Sequence, residues 1–167
     1  FARLTPNTLA RITGGCYLGF ILTSVLADRL GHIGLGGPGQ IYQATIANPW
    51  LFRLALVVVL VSALLFLMSA WGLYVLLRPI NRSLALLFLL LNAVGVTIQC
   101  TSVFPLISAL LMGEGAAHMQ AYSASQLEGL GYLSAGVYKT GFATAQLFFS
   151  TWLFPLGYLV YKSGFLP

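Results

Sequence analysis

The chain has 167 residues, of which 59% are hydrophobic and 7% are charged. Because about a quarter of the residues in a soluble domain are charged, this composition excludes a water-soluble domain. The net charge of +5 comes from eight basic and three acidic residues. The basic residues stand near the ends of apolar stretches and form no run or basic helix face, so we expect no nucleic-acid partner.

Four apolar stretches predict the elements of the fold. A helix needs about 20 residues to cross a hydrocarbon core about 30 Å thick. The predicted spans cover residues 12–30, 50–78, 83–111 and 133–162. The sequence therefore predicts an all-α, polytopic transmembrane helical bundle of four spans, forming one domain over residues 1–167, with short interfacial helices in the outer loops.

The N-terminal region allows two interpretations. Residues 3–13 are predicted to be a short lead lying on the membrane surface. The apolar run that follows ends in residues 25–27 (VLA), which resemble a signal-peptide cleavage site. Because the segment is part of the chain and further spans follow it, we interpret it as a retained transmembrane helix.

The first two connections carry local signals. Residues 31–48 are rich in glycine, which predicts a loop, and residues 40–47 within them are expected to form a short interfacial helix. Asn48 followed by Pro49 predicts a helix start, with asparagine as N-cap and proline at the first helical position. Because Pro79 forces the preceding residue away from helical geometry, the second and third spans are expected to form an antiparallel hairpin.

The later half of the chain carries proline and capping signals. Pro105 and Pro155 are expected to kink the third and fourth spans. Ser125 and Glu128 have the S-x-x-E spacing of a capping box. A helix that started there would be longer than the bilayer is thick, so we expect either that its first turns stand outside the membrane or that it breaks within residues 129–131.

The distribution of basic residues predicts the topology. With four spans, both termini and the hairpin turn lie on one face. That face collects five basic residues, which are Arg3, Arg11, Arg78, Arg82 and Lys162. The opposite face collects three basic residues and all the acids, which are Arg29, Arg53, Lys139, Asp28, Glu114 and Glu128. The positive-inside rule then places both termini in the cytoplasm.

Small residues recur every four positions along the first span. They are Gly15, Gly19, Thr23 and Ala27. Such a ridge lets another helix approach closely, which is how membrane helices associate without a hydrophobic driving force. The ridge predicts either an interface with a partner subunit or packing within this bundle, and the second is the commoner use of the pattern.

Polar side chains form a stripe on each of the last two spans. They are Asn92, Gln99 and Ser102 on the third span, and Lys139, Gln146 and Ser150 on the fourth. Because polar side chains avoid lipid, both stripes are expected to face the bundle interior. Hydrogen bonds from Asn92 or Gln99 to Gln146 would each contribute about 1 kcal/mol. The alternative is that this polar seam forms a pathway or a small-ligand site.

His32 and His118 are the candidate residues for holding a cofactor such as a pigment or haem. Both lie in loops, and the sequence has none of the His or Cys spacings that are typical of metal sites. We therefore predict no metal and no cofactor, although a bound lipid or pigment is compatible with the sequence. The commoner role for charged groups here is to lie at the headgroup level, paired with one another.

Several phrases resemble a family of bacterial multi-span integral membrane proteins that is described only as a domain of unknown function. They are residues 11–15 (RITGG), 50–53 (WLFR), 73–82 (LYVLLRPINR) and 156–167 (LGYLVYKSGFLP). The resemblance implies an all-helical integral membrane protein and implies no activity; we expect the protein in the bacterial inner membrane. It also implies that members continue past the last phrase into further hydrophobic helices, so we expect the chain to be part of a longer protein.

Three functions are compatible with these patterns. The first is a non-catalytic accessory subunit that packs laterally against a larger, energy-transducing membrane complex, with membrane lipids and other integral membrane subunits as partners. The second is a small-solute transporter or channel that uses the polar seam between the third and fourth spans. The third is a membrane-embedded enzyme that uses His32 or His118. Because catalytic signatures are missing, the first is the principal expectation, and no enzyme activity is predicted.

Overall fold

The computed structural model describes residues 5–113 and 121–164. Within them the chain forms seven helices. These are α1 (Pro6–Gly31), α2 (Pro38–Ala47), α3 (Pro49–Leu77), α4 (Arg82–Ser102), α5 (Phe104–Gly113), α6 (Ala124–Thr151) and α7 (Leu153–Ser163). The all-α prediction is confirmed for this part of the chain.

Within the residues that the structure describes, three helical segments are long and apolar enough to cross a membrane, which indicates a membrane protein. They are Pro6–Gly31, Pro49–Leu77 and Arg82–Met112. They coincide with the first three predicted spans, and the third of them joins α4 to most of α5. Residues of the fourth predicted span form the last two thirds of α6 and nearly all of α7.

The first helix starts earlier than expected. Pro6 occupies the first helical turn, and Oγ1 of Thr5 accepts a hydrogen bond from the Thr8 amide at 3.3 Å. A proline there has no amide to leave unsatisfied, and its φ already suits a helix. Residues 6–11 therefore belong to α1, which starts six residues before the first predicted span at residue 12.

Capping side chains fix the starts of the later helices. The prediction for Asn48 is confirmed, because its Oδ1 accepts from the Leu51 amide at 3.1 Å. The capping box predicted for Ser125 and Glu128 was wrong. Ser123 is the N-cap of α6, and Oε1 of Gln126 accepts from the Ser123 amide at 2.9 Å. The same S-x-x-E/Q spacing occurs two residues earlier, and the helix starts at that copy.

The two predicted kinks appear as helix breaks. α4 ends just before Val103, two residues ahead of Pro105, and α6 ends just before Trp152, three residues ahead of Pro155. A proline removes the hydrogen bond to the carbonyl four residues earlier, so the turn before it loosens. α6 is continuous through residues 129–131, so the alternative of a break at those glycines was wrong.

The helices pack into a bundle with two distinguishable ends. α1 lies along α3. α6 packs against α2, α4 and α5, and α7 packs against α4. We call the end that carries α2 the α2 end. We call the opposite end, which carries the tight turn around Pro79, the turn end. Leu159 of α7 packs with Leu77 and Ala85 at the turn end, so α6 and α7 together run the length of the bundle.

Candidate functional site

A cleft of about 610 Å³ lies among α1, α3, α4 and α6. It is lined from α1 by Tyr17, Phe20, Ser24, Val25, Asp28 and Arg29, and from the following loop by Ile33, Gly34 and Leu35. It is lined from α3 and α4 by Val59, Phe66 and Gln99, and from α6 onward by Tyr138, Phe142, Gln146, Phe149, Trp152 and Leu153. Mostly apolar walls with a few polar groups are the usual character of a ligand pocket.

Aromatic rings form the wall of the cleft nearer the turn end. Phe20 and Phe66 stack with their ring centroids 4.4 Å apart. Phe149 and Trp152 meet Phe66 edge-on at 5.2 and 5.7 Å. Rings in these arrangements support one another by about 0.5–1.5 kcal/mol per pair beyond area burial. The wall is therefore a rigid, apolar surface that joins α1, α3 and α6.

Two carboxamides provide the polar groups in the middle of the cleft. Both line the cleft; Gln99 of α4 is half-buried and Gln146 of α6 is exposed. Both belonged to the polar stripes, and the structure brings these two side chains to the same cleft. Each carboxamide offers two N–H donors and one carbonyl acceptor, so the pair can both donate to and accept from a polar group between them.

The loop after α1 closes the cleft at the α2 end. Oδ1 of Asp28 accepts a hydrogen bond from the Leu35 amide at 3.0 Å, and Nζ of Lys139 donates to the Gly34 carbonyl at 2.8 Å. The same ammonium lies 5.4 Å from the centroid of the Phe142 ring. Lys139 thus ties α6 to the loop, and we call this pair of hydrogen bonds the loop clasp.

Glycines set the separation of α4 and α6 beside the cleft. A Cβ on Gly141 would lie 2.8 Å from Cβ of Ser102 and would overlap its hydroxyl oxygen. A Cβ on Gly95 would lie 2.6 Å from Cε1 of Phe149. Because a side chain at either position would push the two helices apart, these contacts hold α6 in the position that shapes the cleft.

Asn92 lies on the same stripe as Gln99 but at a different depth. It is fully buried, and neither its amide nitrogen nor its carbonyl oxygen has a hydrogen-bond partner among the described residues. The expected bond from Asn92 to Gln146 is therefore not formed. Its neighbours on the α4 face, Phe88 and Val96, belong to the aromatic core around Trp152, which is an apolar environment for an amide.

The remaining residues of the polar seam bond to their own helices. Oγ of Ser102 donates to the Ile98 carbonyl at 2.6 Å, and Oγ of Ser150 donates to the Leu147 carbonyl at 3.0 Å. Ser150 is exposed. A hydroxyl that back-bonds within its helix has its donor satisfied, so these two serines need no partner across the bundle.

The small-residue ridge of α1 divides between two environments. Ala27 is fully buried, and a Cβ on Gly19 would meet Leu65 of α3 at 3.3 Å. Oγ1 of Thr23 donates to the Gly19 carbonyl at 2.7 Å. Apart from the chain neighbours of Gly15 and the backbone of α1, no atom of the described residues lies within 4 Å of the place that a Cβ on Gly15 would take. The ridge therefore packs within the bundle along part of its length and is open at Gly15.

The histidine candidates are not brought together in the described part of the chain. His32 is exposed and caps α1 in the left-handed conformation, with φ of 54° and its amide bonded to the Asp28 carbonyl. His118 lies outside the described residues. Among the residues that the structure describes, no group of three or more His, Cys, Asp or Glu side chains is placed to hold a metal ion.

α2 contacts the first turns of α6 through aromatic rings. The rings of Tyr42 and Tyr132 lie 4.9 Å apart, and the Tyr42 ring covers Gly131 so closely that a Cβ there would lie 2.7 Å from its Cζ. Burial raises the pKa of the Tyr42 hydroxyl, with smaller contributions from Glu128 and Tyr132. This contact fixes α2 on the same end of the bundle as the loop clasp.

Sequence patterns missed most of the residues that line the cleft. Phe20, Phe66 and Phe149 are apolar residues in apolar helices, and nothing in their spacing distinguishes an inward ring from one that faces lipid. In the loop clasp, Lys139 donates to the backbone carbonyl of Gly34, which lies 105 positions away in sequence. The one usable signal was the pair of glutamines, because a carboxamide in a helix predicted to cross the membrane marks a face that is expected to avoid lipid.

Comparison with known proteins gives a family and no activity. Residues 12–167 match the model of the family described as a domain of unknown function (DUF4386). No curated protein and no solved structure matches the chain. The expected resemblance is confirmed, and the chain belongs to the DUF4386 family.

Proposed function

We propose that this protein is a non-catalytic membrane protein that binds a small, largely apolar molecule within the bilayer. The cleft of about 610 Å³ carries the proposal. Its volume lies in the range of about 300–1,000 Å³ that is usual for small-molecule pockets. It combines a wall of packed rings with two carboxamides, which is the arrangement that holds an apolar molecule and orients its polar group.

The proposal includes a fourth crossing of the membrane by α6 and α7. Its support is that Gly131 of α6 packs on α2 and that Leu159 of α7 packs at the turn end. The basic residues Arg11, Arg78, Arg82 and Lys162 then share the turn end, which we propose is cytoplasmic in the inner membrane of a bacterium. In a chain whose native cysteines are replaced, Ser125→Cys and Lys162→Cys should react with an impermeant maleimide from opposite sides.

Cleft binding is tested by a substitution that fills the space. Ser24 lines the cleft from α1, whereas Leu22 is 70% exposed and is not among the lining residues. Ser24→Phe should remove a molecule that co-purifies with the wild-type protein, as detected by native mass spectrometry, and Leu22→Phe should retain it. Retention of the same molecule by both variants would contradict the proposal.

Lateral association with other membrane subunits is a second candidate, favoured by the surface of α1. Only 11% of the most apolar stretch of α1 is buried, against 39% for α3. Gly15 is open on the exposed side, so a partner helix could approach its backbone closely. Gly15→Ile should then separate the protein from a larger assembly in mild detergent without removing the molecule bound in the cleft. An unchanged assembly would exclude this interface.

A further inference from the structure

The polar groups of the cleft occupy separate depths, and this separation restricts the chemistry of the ligand. α1 rises about 1.5 Å per residue, so Tyr17 and Asp28 mark ends of the cleft about 16 Å apart. Asp28 and Arg29 lie at the α2 end. Gln99 lies near the middle of its membrane-spanning segment, Arg82–Met112. The rings around Trp152 continue toward the turn end.

The groups at middle depth are uncharged. Gln99 and Gln146 provide donors and acceptors without a formal charge. A charged group at that depth would need a counter-ion, since burying an unpaired charge is costly. Among the residues that the structure describes, the charged ones that line the cleft are Asp28 and Arg29. They are adjacent in sequence at the α2 end and carry opposite charges. Nζ of Lys139, beside that end, already donates to the Gly34 carbonyl.

We propose that the ligand is an uncharged amphiphile whose carbonyl or hydroxyl oxygens bond to Gln99 and Gln146 and whose apolar chain lies among the rings beside Trp152. This inference rests on the proposed function and specifies the ligand of the same cleft. The carboxamides select a neutral polar group, and the rings select the chain.

Fluorescence of Trp152 provides the test, because this side chain lines the cleft and is only 6% exposed. Trp50→Phe with Trp71→Phe leaves Trp152 as the one tryptophan of the three in the sequence. The probes are a monoacylglycerol, an alkyl sulfonate and an alkyltrimethylammonium that carry the same brominated chain. The last two keep their charge in the bilayer, and bromine quenches tryptophan fluorescence on contact. The protein is reconstituted in vesicles of unbrominated phosphatidylcholine.

We expect the monoacylglycerol to quench Trp152 saturably, with an affinity about tenfold higher than that of either charged probe, because burying an unpaired charge is costly. Gln146→Leu should weaken it about fivefold to tenfold, which is the loss expected when one hydrogen bond is removed. Thr144→Val is the matched control, since Oγ1 of Thr144 bonds to the Thr140 carbonyl and the residue is not part of the cleft lining. This control should leave the affinity unchanged.

Two results would overturn the inference in distinguishable ways. Equal, saturable quenching by the three probes, or an unchanged affinity in Gln146→Leu, would contradict a neutral ligand held by the carboxamides while leaving cleft binding in place. Quenching by none of the probes, or only by a non-saturable process like that of surrounding lipid, would contradict the proposed function as well.

Discussion

Replacement of Gly141 by alanine tests whether close packing of α6 on α4 holds the cleft in shape. The added Cβ would lie 2.8 Å from Cβ of Ser102 and would overlap its hydroxyl oxygen, which bonds to the Ile98 carbonyl. Relief requires either that the hydroxyl rotates away from that carbonyl or that the helices separate. Gly136 lies five residues earlier on the same helix, and apart from its chain neighbours and the backbone of α6, no atom of the described residues comes within 4 Å of its Cβ position.

The magnitude follows from two opposing effects. Overpacking a tightly packed contact costs about 1–3 kcal/mol, whereas replacing glycine by alanine within a helix gains about 1 kcal/mol. The helix gain applies to both positions and cancels in their comparison. Gly141→Ala should therefore be less stable than Gly136→Ala by about 1–3 kcal/mol.

The assay is reversible unfolding of both variants in mixed micelles, followed by circular dichroism as the fraction of denaturing detergent rises. Gly136→Ala should unfold at a higher fraction than the wild type, and Gly141→Ala at a lower fraction than Gly136→Ala. Equal stabilisation of the two variants would refute the argument that the Gly141 contact sets the distance between α4 and α6.

Three further predictions concern single side chains. Asn92→Leu should raise the free energy of unfolding by about 1–3 kcal/mol in the same assay, because it removes a buried amide without a described partner; a loss of stability would contradict this. Lys139→Met removes the hydrogen bond from Lys139 to the Gly34 carbonyl, and a bond from a charged donor contributes about 1.5–3 kcal/mol. Amide hydrogen exchange in residues 33–37 should therefore accelerate at least about tenfold. An unchanged exchange rate would show that this bond does not hold the loop. The pKa of the Tyr42 hydroxyl is raised above the usual 10.0, so the folded state holds this proton more tightly than the unfolded state does. The resulting contribution to stability is complete below pH 10.0 and is lost as the pH rises through the pKa of the folded state. Tyr42→Phe should reduce the loss above that pH, and an identical pH profile would show that another group causes it.

Local features of the fold could be predicted from the sequence because their causes are local. The apolar stretches required helices, and Asn48 followed by Pro49 required a helix start. The error in the start of α6 was also local. Ser123 and Ser125 each stand three residues before a glutamine or glutamate, so the sequence offers two capping boxes, and the choice between them depends on which turn the helix packing favours.

The sequence stripes correctly included Gln99 and Gln146 but could not exclude Asn92 from the candidate site, because one face of a helix meets different neighbours at different depths in the bundle. Asn92 and Gln99 are seven residues apart and so lie on nearly the same face of α4. At the depth of Asn92 that face is covered by the core around Trp152, and at the depth of Gln99 it borders the cleft. Lys139 reaches the loop after α1 instead, a contact that depends on how that loop folds back over α6.

An experimental density map of the protein, purified from its native membrane in mild detergent, tests the central claim most directly. The account predicts elongated density between α1 and α6 that touches the side chains of Gln99 and Gln146 and extends along the ring of Phe66 toward Trp152. A map in which α1 lies against α6 and the cleft is closed by protein side chains would contradict it.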